Sequence, residues 1–192
     1  MPTEVLVQGF SSQNYRFKDE LIHYGFIDCS MGNMLVAATD TGVCLTEINN
    51  DPLLAEEYLA KRYPQARLHP GTDEPFNEWK HLAGLYMDQV NVPFPTPLDV
   101  RGTPFQIQVW QALMQIPCGQ TSTYGDIANS IRKPTAARAV GAAVGHNPIA
   151  VHIPCHRVIG KNGGLTGFRW GLDRKIVLLE REEEFAGLGN AA

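Results

Sequence analysis

Thr123-Tyr124-Gly125-Asp126-Ile127-Ala128-Asn129-Ser130-Ile131-Arg132-Lys133-Pro134-Thr135-Ala136-Ala137-Arg138-Ala139-Val140-Gly141-Ala142-Ala143-Val144 carries two helix starts in one short run. Thr123 followed by Asp126 has the form of a capping box, in which hydroxyl and acid each satisfy a free backbone amide. A short helix to Ile131 follows. Pro134 has no backbone donor and biases Lys133 away from helical geometry, so Arg132-Lys133-Pro134 reads as a turn. Thr135 is then placed to cap a second helix that runs through Val144. Two short helices joined by a tight turn form a helix-turn-helix. Residues 136–144 are almost bare of large side chains, and their one long cation is Arg138. Such a helix either packs tightly in a core or lets its backbone approach a partner closely. Arg138 and the basic turn favour the partner.

Charge around this stretch points the same way. The net charge of −4 hides an uneven distribution. Residues 1–100 hold 6 Lys/Arg and 14 Asp/Glu, residues 101–175 hold 9 and 2, and residues 176–192 hold 1 and 4. A basic block of net +7 between acidic flanks is where a polyanion binds. At 192 residues, with 44% hydrophobic and 19% charged, the chain fits one good-sized globular domain or two small ones. No apolar run reaches membrane-spanning length. The start, MPTEVLVQGF, lacks the basic and apolar regions of a signal peptide, so a cytoplasmic location is expected (nuclear in a eukaryote). Cys29, Cys44, Cys118 and Cys155 form no CxxC pair and are expected as free thiols.

Upstream, residues 1–19 read as an irregular arm. Leu21–Asp28, Asn33–Thr39 and Val43–Asn49 read as strands of a small antiparallel meander, separated by Ser30-Met31-Gly32-Asn33 and Asp40-Thr41-Gly42. Helices are expected over Leu53–Tyr63, with Leu54, Tyr58 and Leu59 near one face, and over about Glu74–Gln89. Pro93, Pro95 and Pro97 exclude regular structure and mark a linker, which divides the chain into 1–95 and 96–192. Thr103 and Pro104 open a further helix, which Ile116-Pro117-Cys118-Gly119 stops.

Downstream, Val151-His152-Ile153-Pro154-Cys155-His156-Arg157-Val158-Ile159-Gly160 reads as a strand with a stiff corner at Pro154. It sets one thiol beside an imidazole and a guanidinium. Thiols near cations ionise more easily, and the thiolate is the nucleophile. A buried core cysteine is the other reading. Gly160–Gly164 is a flexible turn, and Gly167-Phe168-Arg169-Trp170-Gly171 is an aromatic loop. The last helix, Leu172 to Phe185, places Leu172, Ile176, Leu178, Leu179 and Phe185 on one broad face, with Glu182 inside it. A carboxylate there either meets a donor, for which a histidine is suited, or reaches water at the helix end.

Ile153-Pro154-Cys155-His156-Arg157-Val158, together with Asp99–Phe105, Ile116–Gly119 and Gly167–Gly171, resembles the O6-alkylguanine-DNA alkyltransferase family over about residues 20–184. The resemblance implies an α+β fold: a small N-terminal antiparallel-sheet, RNase H-like subdomain and a mainly helical C-terminal subdomain with the helix-turn-helix. It implies DNA repair by single-turnover transfer of an alkyl group from O6 of guanine (and O4 of thymine) to Cys155. His156 would draw the thiol proton through a water, Glu182 would orient and charge that histidine, and Asn147 would brace the active-site turn. Tyr124 would press a phosphate as the nucleotide rotates out, and Arg138 would fill the space left in the duplex. Thr135, Ala136, Ala139 and Gly141 would lie against the minor groove of double-stranded DNA carrying the alkylated guanine. Val158, Phe168 and Arg169 would line the substrate pocket. Phe168 departs from the pattern, because a tyrosine hydroxyl is expected there.

No cofactor and no metal are expected. Cys29, Cys44, His23, His69 and His81 fall into no ligand spacing and read as core cysteines and surface histidines. A monomer without membrane association, found with the nucleoid, is expected. Two rivals remain: a lesion-binding protein without chemistry, and a cysteine hydrolase built on Cys155, His156 and Glu182.

Overall fold

The computed structural model describes residues 10–89 and 96–189. Residues 1–9 of the expected arm, and Pro93 and Pro95 of the expected linker, lie outside the described residues. The chain forms two compact units, residues 1–107 with 148–150, and residues 108–147 with 151–192. The boundary therefore falls at 107/108 rather than at 95/96.

In the first unit, β2 (Leu21–Cys29), β3 (Gly32–Ala38) and β4 (Val43–Ile48) form the expected antiparallel meander. The sheet is not wholly antiparallel. β5 (Arg67–Pro70) joins it parallel to β2, giving the order β4-β3-β2-β5. Three of the four β5 residues are exposed, so no alternation announced the strand. β1 (Phe10–Ser11) lies in the segment read as an arm, and it pairs parallel with β6 (Val100–Arg101). The outer edge of β4 is covered in turn. Val43 N–H donates to Pro97 O and Asp99 N–H to Val43 O, each at 2.9 Å, and Thr46 N–H donates to Pro148 O at 2.9 Å. A covered edge offers no template for a foreign strand. These bonds are why residues 96–107 and 148–150 stay with the sheet.

α1 (Pro52–Arg62) is capped by Asp51, and α2 (Phe76–Asp88) follows. Phe17, Ile22, Leu35, Leu45, Leu59 and Tyr63 make the core. Leu54, read as part of the inner face of α1, is exposed, and Ala55 and Leu59 are the buried pair.

The second unit holds the helix-turn-helix. It includes the end of α3 (Pro104–Leu113), which begins in the first unit. β7 (Ser122–Thr123) pairs parallel with β8 (Val158–Ile159). α4 (Tyr124–Ser130) opens on the expected capping box: Asp126 N–H donates to Thr123 Oγ1 and Thr123 N–H to Asp126 Oδ2, both at 3.1 Å. α4 ends through Arg132 at φ 59°, with Lys133 N–H donating to Ala128 O at 2.8 Å. This is a left-handed ending that satisfies a last-turn carbonyl. α5 (Ala137–Gly145) starts later than expected. Thr135 does not cap it; Ala136 precedes the helix without a side-chain cap, because Ala136 N–H closes a turn on Lys133 O at 2.9 Å. α6 (Leu172–Gly189) is the last helix. Its buried face is Lys175, Leu178 and Glu182, whereas Leu172, Ile176 and Phe185 are exposed. The broad apolar face read from the sequence is thus not the buried one. Among the described residues no helix is long and apolar enough to cross a membrane.

Candidate active site

The cysteine segment is not a strand until Val158. Pro154 has φ −78° and ψ 64°, and Cys155 N–H donates to Ile153 O at 2.7 Å. This is an inverse γ-turn, for which the proline ring presets φ. A single 3₁₀ turn, Cys155–Arg157, follows. Upstream, Val151 sits at φ 65°, a region that β-branched residues rarely occupy and that surrounding structure must hold.

One such hold is Asn147, just past the end of α5. Its Nδ2 donates to Ile153 O at 2.8 Å and to Cys155 Sγ at 3.1 Å. Asn147 and Cys155 are both buried.

Glu182 is wholly buried and meets His156. His156 Nε2 lies 2.7 Å from Glu182 Oε1. Arg157 Nε donates to Oε1 at 3.1 Å and to Oε2 at 2.9 Å, Nη2 donates to Oε1 at 2.8 Å, and Nη1 donates to Ile116 O at 2.6 Å. Gly119 N–H donates to Oε2 at 3.1 Å. Gly119 has φ 75°, and a Cβ there would lie 2.7 Å from the Ala186 Cβ, so the turn and its closeness to α6 both require glycine. Of the two outcomes open for Glu182, the donor-rich one holds.

Electrostatics follow from this geometry. Burial works against ionisation of Glu182, but the hydrogen bonds from His156 and Arg157 outweigh it and hold the carboxyl at about 2. Burial lowers His156, opposed by the Glu182 carboxylate. A neutral imidazole that donates Nε2–H to Glu182 keeps Nδ1 as an acceptor, and among the described residues Nδ1 has no partner. The thiol is not primed as the sequence implied. Burial pushes Cys155 up to about 11, with the Asn147 hydrogen bond and the charges of Lys175 and Arg169 opposing. Arg157, read as its cationic neighbour, is instead spent on Glu182.

Cys155 opens on a small cavity of about 60 Å³, lined among others by Tyr124, Gly141, Phe168, Arg169 and Trp170. Val158 is not in its lining; it is buried in β8, and its carbonyl accepts from Lys175 Nζ at 2.6 Å. Phe168 packs edge-on to Trp170 at 5.1 Å, and Arg169 lies over the Trp170 ring at 5.2 Å. A groove of about 750 Å³ adjoins, lined by Tyr124, Asn129, Arg138, Gly141 and Lys161. Tyr124 OH pairs with Thr166 Oγ1 at 3.0 Å. Arg138 and Ala139 project as an exposed face of α5, and Thr135 and Ala136 lie in the preceding turn. Cys44 is buried and Cys29 half-buried, and the described residues hold no cluster of three metal-binding side chains.

Sequence reading missed Gly119 as a donor to Glu182, the grip of Arg157 on Glu182, and Lys175. One signal for Lys175 was available: it stands seven residues before Glu182, two helical turns along the same face.

The family model described as 6-O-methylguanine DNA methyltransferase, DNA binding domain, matches residues 104–184. The chain is 43% identical over 152 residues to the inducible methylated-DNA–protein-cysteine methyltransferase of Bacillus subtilis, covering 79% of this chain and 84% of that one. It is 40% identical over 200 residues to the Escherichia coli bifunctional transcriptional activator/DNA repair enzyme Ada, covering 95% of this chain but 56% of that protein. The crystal structure of Mycobacterium tuberculosis OGT in complex with DNA is similar at a TM-score of 0.66 and 37% identity, over 84% of this chain and 93% of that one.

Proposed function

The chain belongs to the methylated-DNA–protein-cysteine methyltransferase family, and from that premise we propose that it repairs DNA by moving an alkyl group from O6 of guanine, and from O4 of thymine, to Cys155 Sγ. One observation carries the reading. Cys155 lies at a cavity whose wall includes Tyr124 and Gly141 of the helix-turn-helix, so the element suited to DNA leads directly to the sulfur.

The step is a displacement at carbon: the S–C bond forms as the C–O6 bond breaks, and guanine takes up one proton. The thiol proton passes to His156 Nδ1 through a bridging water, as the family resemblance implies. The imidazolium so formed faces the ionised Glu182, which stabilises it in a buried site. Because the resting thiol titrates at about 11, the sulfur is protonated at neutral pH and must give up its proton as it attacks. The thioether product has no leaving group that would restore the thiol, so each molecule acts once, without a cofactor.

Double-stranded DNA carrying the alkylated base lies with its minor groove on α5, whose small residues suit a narrow groove. Tyr124 presses a phosphate, Arg138 enters the stack, and Thr135, Ala136, Ala139 and Gly141 lie against the groove. The flipped base enters the Cys155 cavity beside Phe168, Arg169 and Trp170. The protein acts as a monomer in the cytoplasm, at the nucleoid.

Incubation with an O6-methylguanine oligonucleotide, followed by peptide mass spectrometry, tests this. One added methylene on the Cys155 peptide in stoichiometric yield is expected. Tight binding with Cys155 unmodified would mean a lesion-binding protein, and repeated turnover of an ester or amide would mean a hydrolase.

A further inference from the structure

Lys175 has no exposed surface. Its Nζ donates to Val158 O at 2.6 Å and to Thr166 O at 3.0 Å. Val158 lies three residues beyond Cys155, and Thr166 leads into the loop that carries Phe168, Arg169 and Trp170. The Thr166 hydroxyl also meets Tyr124 OH at 3.0 Å. One ammonium thus ties the strand after the nucleophile to the far wall of the cavity, and that wall is tied to the first helix of the helix-turn-helix.

Among the described residues no carboxylate pairs with Lys175; its partners are two neutral carbonyls. A buried cation held this way costs free energy unless an anion completes the site. The groups around Cys155 leave one candidate for that anion. Asn147 is neutral, and His156 is a neutral imidazole in the resting site. Glu182 and Arg157 neutralise each other through their shared hydrogen bonds. Arg169 stands over Trp170 at the cavity wall. Burial disfavours the charged form of both Lys175 and Cys155, and at each of the two the charge of the other opposes that effect.

We infer that Lys175 is a positioning residue for the alkyl transfer: it pins the two walls of the Cys155 cavity together and supplies the fixed positive charge against which the sulfur becomes a thiolate. The inference deepens the proposed function and rests on Cys155 as the alkyl acceptor.

The test uses iodoacetamide, which reports thiolate formation without DNA, with Cys155 followed by peptide mass spectrometry. In Lys175→Met the midpoint of the pH–rate profile at Cys155 rises by about one pH unit, as expected on losing a nearby opposite charge. Lys175→Arg keeps the charge and restores most of the reactivity at neutral pH. An unmoved midpoint in folded Lys175→Met overturns the inference. Should that variant fail to fold, lysine side-chain NMR on the unaltered protein decides. A Lys175 signal that shifts through the pH range in which Cys155 ionises, and no longer does so once iodoacetamide has capped the thiol, supports the inference; a signal that capping leaves unchanged overturns it. Absence of methyl transfer from DNA alongside a shifted iodoacetamide profile would remove the alkyl-transfer reading and leave the action of Lys175 on the sulfur standing.

Discussion

Arg157 Nε bridges both oxygens of Glu182, at 3.1 Å from Oε1 and 2.9 Å from Oε2, while His156 Nε2 takes the side of Oε1 at 2.7 Å. The carboxylate is therefore pinned from two directions and can hold the imidazole in one orientation. Glu182→Gln leaves a buried guanidinium facing a neutral amide. Breaking a buried pair on one side costs about 3–5 kcal/mol, and loss of the charge behind the base slows transfer roughly a hundredfold. Urea denaturation and single-turnover rates on O6-methylguanine DNA check both.

The same carboxylate makes stability depend on acid. Its folded value of about 2 lies below the ordinary 4.5, so its contribution is present above pH 4.5 and is lost as pH falls from 4.5 towards 2. The difference corresponds to about 3 kcal/mol. Acid titration followed by circular dichroism shows this loss in the unaltered protein, and Glu182→Gln flattens it.

Asn147→Ala removes the donor to both Ile153 O and Cys155 Sγ. A buried carbonyl that loses a partner costs about 1–3 kcal/mol. The thiol also loses a hydrogen bond that favours its ionised form, so the pH–rate profile at Cys155 moves to higher pH. Iodoacetamide kinetics read this shift separately from folding.

Arg138→Ala weakens repair of duplex DNA far more than reaction with a free O6-alkylguanine base, because the side chain stands exposed on α5, away from the Cys155 cavity lining. Equal losses on both substrates would refute a role in base extrusion. Duplex affinity falls steeply with salt, as phosphate contacts require.

Phe168→Tyr places a hydroxyl at the cavity wall, where only a ring edge now meets Trp170. Transfer from O6-methylguanine accelerates several-fold if a donor to the departing oxygen limits the rate. An unchanged single-turnover rate would show that another group already serves.

Local physics accounts for what could be read beforehand. The capping box at Thr123 and Asp126, the proline-set turn at Cys155 and the three meander strands all rest on residues that interact within a few positions of each other. Glu182 was visible as a charge on a helix face, though not which of two fates it met. What stayed hidden depends on distant partners. β5 and β1 are short and lack alternation, so only β2 and β6 reveal them. Arg157 looked like a neighbour of the thiol because it is close in sequence, yet its side chain runs to α6. Nothing near Lys175 in the chain singles it out, and lysines are rarely buried. The inner face of α6 was misjudged for the same reason: its buried positions are two charges and one leucine, while apolar Ile176 and Phe185 face outward.

Lys175 and Glu182 sit on a single rod, α6, seven residues apart. One governs the sulfur and the other the imidazole. The nucleophile, Asn147 and the helix-turn-helix all precede that rod in the chain. During synthesis the segment with Cys155 therefore leaves the ribosome before the charges that act on it, and its sulfur behaves as an ordinary thiol. The imidazole gains its carboxylate, and the sulfur its neighbouring cation, only when the last helix is in place. A chain cut before Leu172 would keep its cysteine and lose both of the charges that act on the site.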